Sequence, residues 1–216
     1  NRLTVIFFLN CGITLVSCMV IPLLIQERAI FYRERINGYY SVLPYCAAKW
    51  LAALLPLFLV SCSLVFSFAY LVKLRNISMM LLIYFMQVLA VEGYGTFISA
   101  WTNNMALAFL ANACIGAVAL LFGGYLAKPS TVPEVLKWLF DWSYFNYCFR
   151  ALARNEMEDI KKFDFMYPWD SGVHVLEEME LDSYSVEYDL TALAIHCIVM
   201  QVLFYFMIQF VQTGKK

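Results

Sequence analysis

Five apolar stretches, at 3–25, 44–72, 78–101, 105–127 and 190–211, each match the roughly 20 helical residues needed to cross the hydrocarbon of a bilayer. Nothing else in the chain constrains its fold as strongly. Backbone N–H and C=O groups find no partner in lipid, so a crossing segment is a helix or part of a closed barrel. The apolar/polar alternation of barrel strands is absent from these runs. The expected fold class is therefore an all-α membrane protein, a polytopic helical bundle of about five transmembrane helices. Composition agrees: 62% of residues are hydrophobic, 14% are charged and the mean hydropathy is +0.69, whereas a soluble domain carries about a quarter charged residues.

Several function classes drop out. A net charge of -1, from 15 basic and 16 acidic residues, leaves no basic face for nucleic acid. The seven cysteines lie in or beside apolar segments, none at a zinc-ligand spacing from a histidine, and read as small buried hydrophobes. His174 and His196 are far apart in sequence, and no nucleophile with a base can be picked out. No Gly-x-x-x-x-Gly-Lys-Ser/Thr occurs; Gly123-Gly124 lacks the spacing that wraps phosphates. The chain is thus expected not to be an enzyme by itself. Its first apolar run has no basic leader and no cleavage site, and the opening at Asn1-Arg2 reads as a point inside a longer protein.

The connections are informative. Within 26–43, Glu27/Glu34 and Arg28/Arg35 recur at seven-residue spacing while Ile25, Ala29, Tyr32 and Ile36 fall on another face. This predicts an amphipathic helix lying along a membrane surface. The long connection 128–189 begins with an aromatic-rich part, 132–152, interrupted by Lys137, Asp141 and Arg150, which suits a helix at the interface or dipping partly in. From 156 to 189 it holds eleven of the sixteen acidic residues and reads as a folded, water-exposed loop. Pro56 predicts a bend inside its helix. An ionised Glu92 within an apolar span costs about 2.5–3.5 kcal/mol and needs a partner, with Gln87, Tyr94 and Thr96 as candidates; a proton or substrate relay is the functional alternative. Lys49, near a helix end, snorkels.

Particular motifs resemble a known family. Glu27-Arg28, then Phe31-Tyr32-Arg33-Glu34-Arg35 and Asn37-Gly38-Tyr39-Tyr40-Ser41, closely resemble the cytosolic linker between the second and third membrane helices of the G subfamily of ABC transporters, the White and pleiotropic-drug-resistance group. Asn1-Arg2 with Val5-Ile6-Phe7-Phe8-Leu9, Ala48-Lys49-Trp50-Leu51 through Pro56, Phe122-Gly123-Gly124-Tyr125-Leu126, and Asn146 through Leu152 with Asn155-Glu156 are similar to other family segments in the same order. The resemblance implies a partial ABC-2 type transmembrane domain over 1–216, the spans being family helices two to six, with helix one and the nucleotide-binding domain absent.

By that resemblance, the chain would be the permease portion of an ATP-driven exporter of lipids, sterols or hydrophobic small molecules, with ATP and Mg bound by the missing nucleotide-binding domain. That domain, a second transmembrane domain in a homo- or heterodimer, the lipid bilayer and a hydrophobic substrate would be its partners. The protein would be integral and multi-pass, in the plasma membrane or another cellular membrane. Positive charges are too evenly spread to orient the chain, so the family sets the orientation: 27–37 and Lys215-Lys216 cytosolic, the acidic loop outside. The same resemblance implies that Glu27, Arg28, Arg33 and Glu34 couple to the nucleotide-binding domain. It also implies that Gly12, Leu15, Ala113, Ala117 and Leu120 line the substrate path, with Tyr125 and Leu126 as the outer gate. Ordinary packing is the alternative for each path and gate residue. A polytopic membrane enzyme and a non-transporting membrane scaffold are the alternative functions.

Overall fold

The computed structural model describes residues 2–72, 76–158, 160 and 171–211. Lys73, Arg75, Lys215, Lys216 and much of the acidic loop lie outside the described residues. Helices α1 (Arg2–Thr14) and α2 (Val16–Ile36) continue through Leu15, which keeps helical angles, giving a helical stretch of 35 residues. At 1.5 Å per residue such a length is about 50 Å, well beyond the roughly 30 Å of hydrocarbon in a bilayer. The surplus is the charged end. The segment expected to lie along the surface is helical, but it is the continuation of α2.

A turn at Gly38, with φ of +77°, leads into α3 (Val42–Val72), whose 31 residues run helically past Pro56. Next, α4 (Ile77–Trp101) is the hub of the bundle: residues 87–96 are buried without interruption, and it packs against α2, α3, α7 and α9. A helix apolar on all sides belongs in such a place. A Cβ at Gly93 would sit 2.8 Å from Met200 Cβ, so α4 and α9 approach through the absent side chain. Gly93→Leu is expected to destabilise the bundle by about 1–3 kcal/mol, read as a lower melting temperature of the solubilised protein; an unchanged melt would contradict so close an approach.

Asn104 caps α5 (Met105–Leu121), its side chain accepting from the backbone N–H groups of Ala106 and Leu107. At 17 residues it is at the lower limit for a span; the four other long apolar stretches, Arg2–Ile36, Val42–Phe68, Ile77–Trp101 and Val186–Val211, meet the length and composition of a membrane crossing. It stops before the expected 127 because the chain turns at Gly124, where φ is +78°, a backbone region that glycine adopts at little cost. Two short 3-10 turns then precede α6 (Trp138–Trp142) and α7 (Tyr144–Met157). Helix α8 is Gly172–Glu178, and α9 (Val186–Phe206) ends in a π-helical turn, Met207–Val211. No strand occurs among the described residues.

The later half of the aromatic part of the long connection is packed inside the bundle. Residues 143–153 are buried without interruption, and α7 packs against α1, α4, α5 and α9. Most of its buried polar side chains are paired there, Arg154 Nε being without a hydrogen-bond partner among the described residues. Ser143 donates to the Ala119 carbonyl at 2.7 Å, Asn146 donates to the Phe140 carbonyl at 3.1 Å, and Glu156 pairs with Arg2. Burial of polar groups is tolerable when they have partners, and these pairings let α7 enter the bundle.

Candidate functional site

The inward face of α2's charged end carries Arg28 and Arg35. Leu24, Arg28 and Phe31 are buried along one stripe, Arg28 being 4% exposed. Arg28 donates to the carbonyls of Ser99 (2.6 Å), Ala100 (2.9 Å) and Thr102 (3.0 Å). These lie at the C-terminal end of α4, where carbonyls have no intrahelical partner and a cation complements the helix dipole. Seven residues on, Arg35 donates to the carbonyls of Ile208 (2.9 Å) and Gln209 (3.4 Å) in the π-helical turn after α9. The seven-residue repeat thus ties α2 to the ends of two other helices. Ala29 and Ile36, read from the sequence as part of a membrane-facing stripe, are exposed.

Of the four expected coupling residues, Arg28 is therefore turned inward. Arg33 is exposed. Glu34 accepts from the Tyr40 hydroxyl, and this carboxylate, with burial, pushes the Tyr40 phenol up to about 12, so it stays a donor at neutral pH. Glu27 pairs with Lys49 of α3. Lys49 and Glu92 line one cavity with Glu27. Glu92 takes its hydrogen bond from Gln201 Nε2 of α9 at 3.2 Å, and none of the three partners read from the sequence is used. Gln87 is engaged elsewhere: the buried Cys148 thiol donates to its Oε1 at 3.2 Å and to Asn10 Oδ1 at 3.3 Å.

The expected path residues fall largely on the outside of the chain. Gly12, Leu15, Ala113 and Ala117 are exposed and Leu120 is half-buried. On α1 and α2 the exposed stripe runs Phe8, Gly12, Leu15, Met19; on α5 it runs Leu110, Ala113, Ala117, Leu121. The other face of α5, with Ala108, Asn112, Gly116 and Ala119, is buried. There a Cβ on Gly116 would meet Thr14 Cγ2 at 3.1 Å, and Asn112 Nδ2 reaches Cys18 Sγ at 3.3 Å. Small residues thus serve packing within the chain on one face of α5 and are left open on the other.

At the end of α5, Tyr125 and Leu126 part company. Tyr125 stacks on Phe7 with ring centroids 4.4 Å apart, meets Phe149 edge-on at 5.4 Å, and hydrogen-bonds Thr4 at 3.1 Å. Leu126 is 53% exposed. Behind them Arg150 and Asp189 form a buried ion pair, with Arg150 Nε 3.0 Å from both carboxylate oxygens. The guanidinium lies 4.6 Å from the Tyr184 ring centroid and 5.5 Å from that of Tyr147. Ser185 caps α9 beside it, accepting from Tyr188 N–H.

The family model for ABC-2 type transporters matches residues 1–157. Among similar proteins, the broad substrate specificity ATP-binding cassette transporter ABCG2 of Bos taurus is 29% identical over 161 residues, covering 72% of this chain and 25% of that protein. The ABC transporter G family member STR2 of Petunia hybrida is 26% identical over 226 aligned positions, covering 100% of this chain and 31% of the relative. ABC transporter G family member 1 of Petunia hybrida is 26% identical over 213 positions, 94% of this chain and 32% of that protein. The chain thus spans about a quarter to a third of the length of the curated relatives it matches. A bundle of long apolar helices, with the family match over most of its length, makes this a multi-pass integral membrane protein. The chain belongs to the ABC-2 type transporter family, and its relatives are transporters of the G type.

Proposed function

We propose that the chain is the permease part of an ATP-driven exporter, working as one of a pair of such domains with a nucleotide-binding domain and moving lipids, sterols or other hydrophobic small molecules. The observation that carries this reading is the charged end of α2, which exceeds the bilayer and is bolted to α4 and α9 through Arg28 and Arg35. A push on that end would move three helices together. In this scheme Glu27, Arg33 and Glu34 meet the nucleotide-binding domain on the cytosolic side, and Arg28 passes the motion inward. ATP and Mg are held by the nucleotide-binding domain, so this chain contributes no hydrolytic group.

The open stripe through Gly12, Leu15, Ala113 and Ala117 is where a second transmembrane domain would face the first, with substrate between them and Leu120 deeper in the wall. Leu126 would close the outer end by excluding water, and Tyr125, held by Phe7 and Phe149, would brace it. Exposed large apolar side chains such as Leu15, at 67%, and Met19, at 78%, are what a lipid- or partner-facing stripe presents. Arg33→Ala in the full-length protein tests the coupling surface. Surface expression is expected near wild type, with substrate-stimulated ATPase reduced several-fold; unchanged stimulation would return Arg33 to a solvated position.

A further inference from the structure

A cavity of about 420 Å³ opens between α2, α3, α4 and α9, meeting the exposed stripe of α1 and α2 only at Met19. Its volume falls in the range of about 300–1,000 Å³ usual for small-molecule sites. The charged residues lining it are Glu27, Lys49 and Glu92, two carboxylates against one ammonium, and most of the remaining wall is apolar, including Leu23, Pro56 and Leu57. Lys49 is taken by Glu27. Glu92, only 6% exposed, has its one side-chain hydrogen bond among the described residues from the neutral amide of Gln201. An ionisable side chain at membrane depth marks a functional site by default, and among the described residues this acid forms no ion pair of its own.

We propose that this cavity binds the ammonium group of a lipophilic organic cation, with Glu92 as its counter-ion and the alkyl part lying along Leu23, Pro56 and Leu57. Trp50 lines the same cavity, and an indole ring near the ammonium would add a cation–π attraction, which strengthens when water is excluded. The charge balance of the wall selects against anions: a carboxylate-bearing ligand of the same length would meet two carboxylates and one ammonium already paired. The amide of Gln201 holds Glu92 in place, so the site is formed before a ligand arrives. This site does not depend on the transport reading, since its counter-ion, Glu92, belongs neither to the open stripe nor to the coupling surface and its occupancy needs no nucleotide.

The test uses the full-length protein in lipid nanodiscs without nucleotide and two fluorescent probes, 11-(dansylamino)undecyl-trimethylammonium and 11-(dansylamino)undecanoate. Empty nanodiscs correct for partition into lipid. Saturable energy transfer from tryptophan is expected for the cationic probe only. Glu92→Gln keeps an acceptor for Gln201 but removes the charge, and should weaken the cationic probe at least tenfold. Ala52→Trp, which fills the cavity and leaves Glu92 intact, should weaken it as much and decides the matter if Glu92→Gln does not fold. Equal affinity for both probes, or wild-type affinity for the cation in either folded variant, overturns the proposal. Failure of the transport reading would show instead as absent ATP-driven movement of substrate, with the cationic probe still bound.

Discussion

Arg150→Ala is expected to cost about 3–5 kcal/mol of stability, the usual loss when one partner of a buried ion pair is removed. The guanidinium and the Asp189 carboxylate are 7% and 0% exposed, so water cannot replace the lost partner. Two aromatic contacts, to Tyr184 and Tyr147, go with it. The pair fastens α7 to the first turn of α9, and through α7 the aromatic cluster behind Tyr125. Asp189→Ala should cost a similar amount, leaving the arginine buried and alone. Replacing both by apolar residues of similar size, Arg150→Met with Asp189→Leu, should recover much of the loss, because most of the penalty belongs to the unpaired charge. Fluorescence-detected melting of the detergent-solubilised protein reads all three; a double variant no better than either single one would contradict this assignment.

The second large effect is at Arg28. Its three hydrogen bonds, at 2.6, 2.9 and 3.0 Å, come from a charged donor, a class whose members contribute about 1.5–3 kcal/mol each. Arg28→Ala would leave the α4 terminus without a donor and is expected to lower both yield and melting temperature. Arg28→Lys is more revealing. An ammonium keeps the charge but lacks the planar fork that reaches several carbonyls at once, so the bundle should fold while α2 and α4 move less tightly together. In the full-length protein the expected outcome is basal ATPase within about twofold of wild type and transport per ATP reduced about tenfold, roughly 1.4 kcal/mol of coupling. Wild-type transport efficiency in Arg28→Lys would show that this clamp carries no motion.

Much of the bundle is written in the sequence as length and apolarity. The long runs become α1–α2, α3, α4, α5 and α9 because lipid leaves the backbone no other option. Details that depend on a partner from another helix are harder to read. The end of α5 needed Gly124 to be recognised as a left-handed turn rather than part of a span. The depth of α7 was hidden because Asn146, Arg150 and Glu156 look like surface residues until Phe140, Asp189 and Arg2 are brought beside them. Likewise, the spacing of Arg28 and Arg35 is plain in the sequence, but the carbonyls they cap belong to helix ends some 70 and 170 residues away. A signal was present: Leu24, Arg28, Phe31 and Arg35 fall at steps of four, three and four, the period of a buried helix face. Glu92 is legible as an anomaly within an apolar run, whereas its partner Gln201, on a helix more than a hundred residues later, is not. Path and gate residues came from the resemblance alone, and the packing separates them into open positions such as Leu15 and Leu126 and the braced Tyr125.

The proposed movement of hydrophobic molecules by this domain, driven by ATP hydrolysis on a neighbouring one, is tested most directly in inside-out vesicles carrying the full-length protein. Accumulation of labelled lipid, sterol and hydrophobic small-molecule substrates would be compared with that in vesicles lacking the protein. Accumulation is expected with ATP, none with a non-hydrolysable analogue, and a marked reduction in Arg28→Lys at comparable protein levels. A folded protein that hydrolyses ATP but accumulates no member of such a panel above empty vesicles would contradict the transport function.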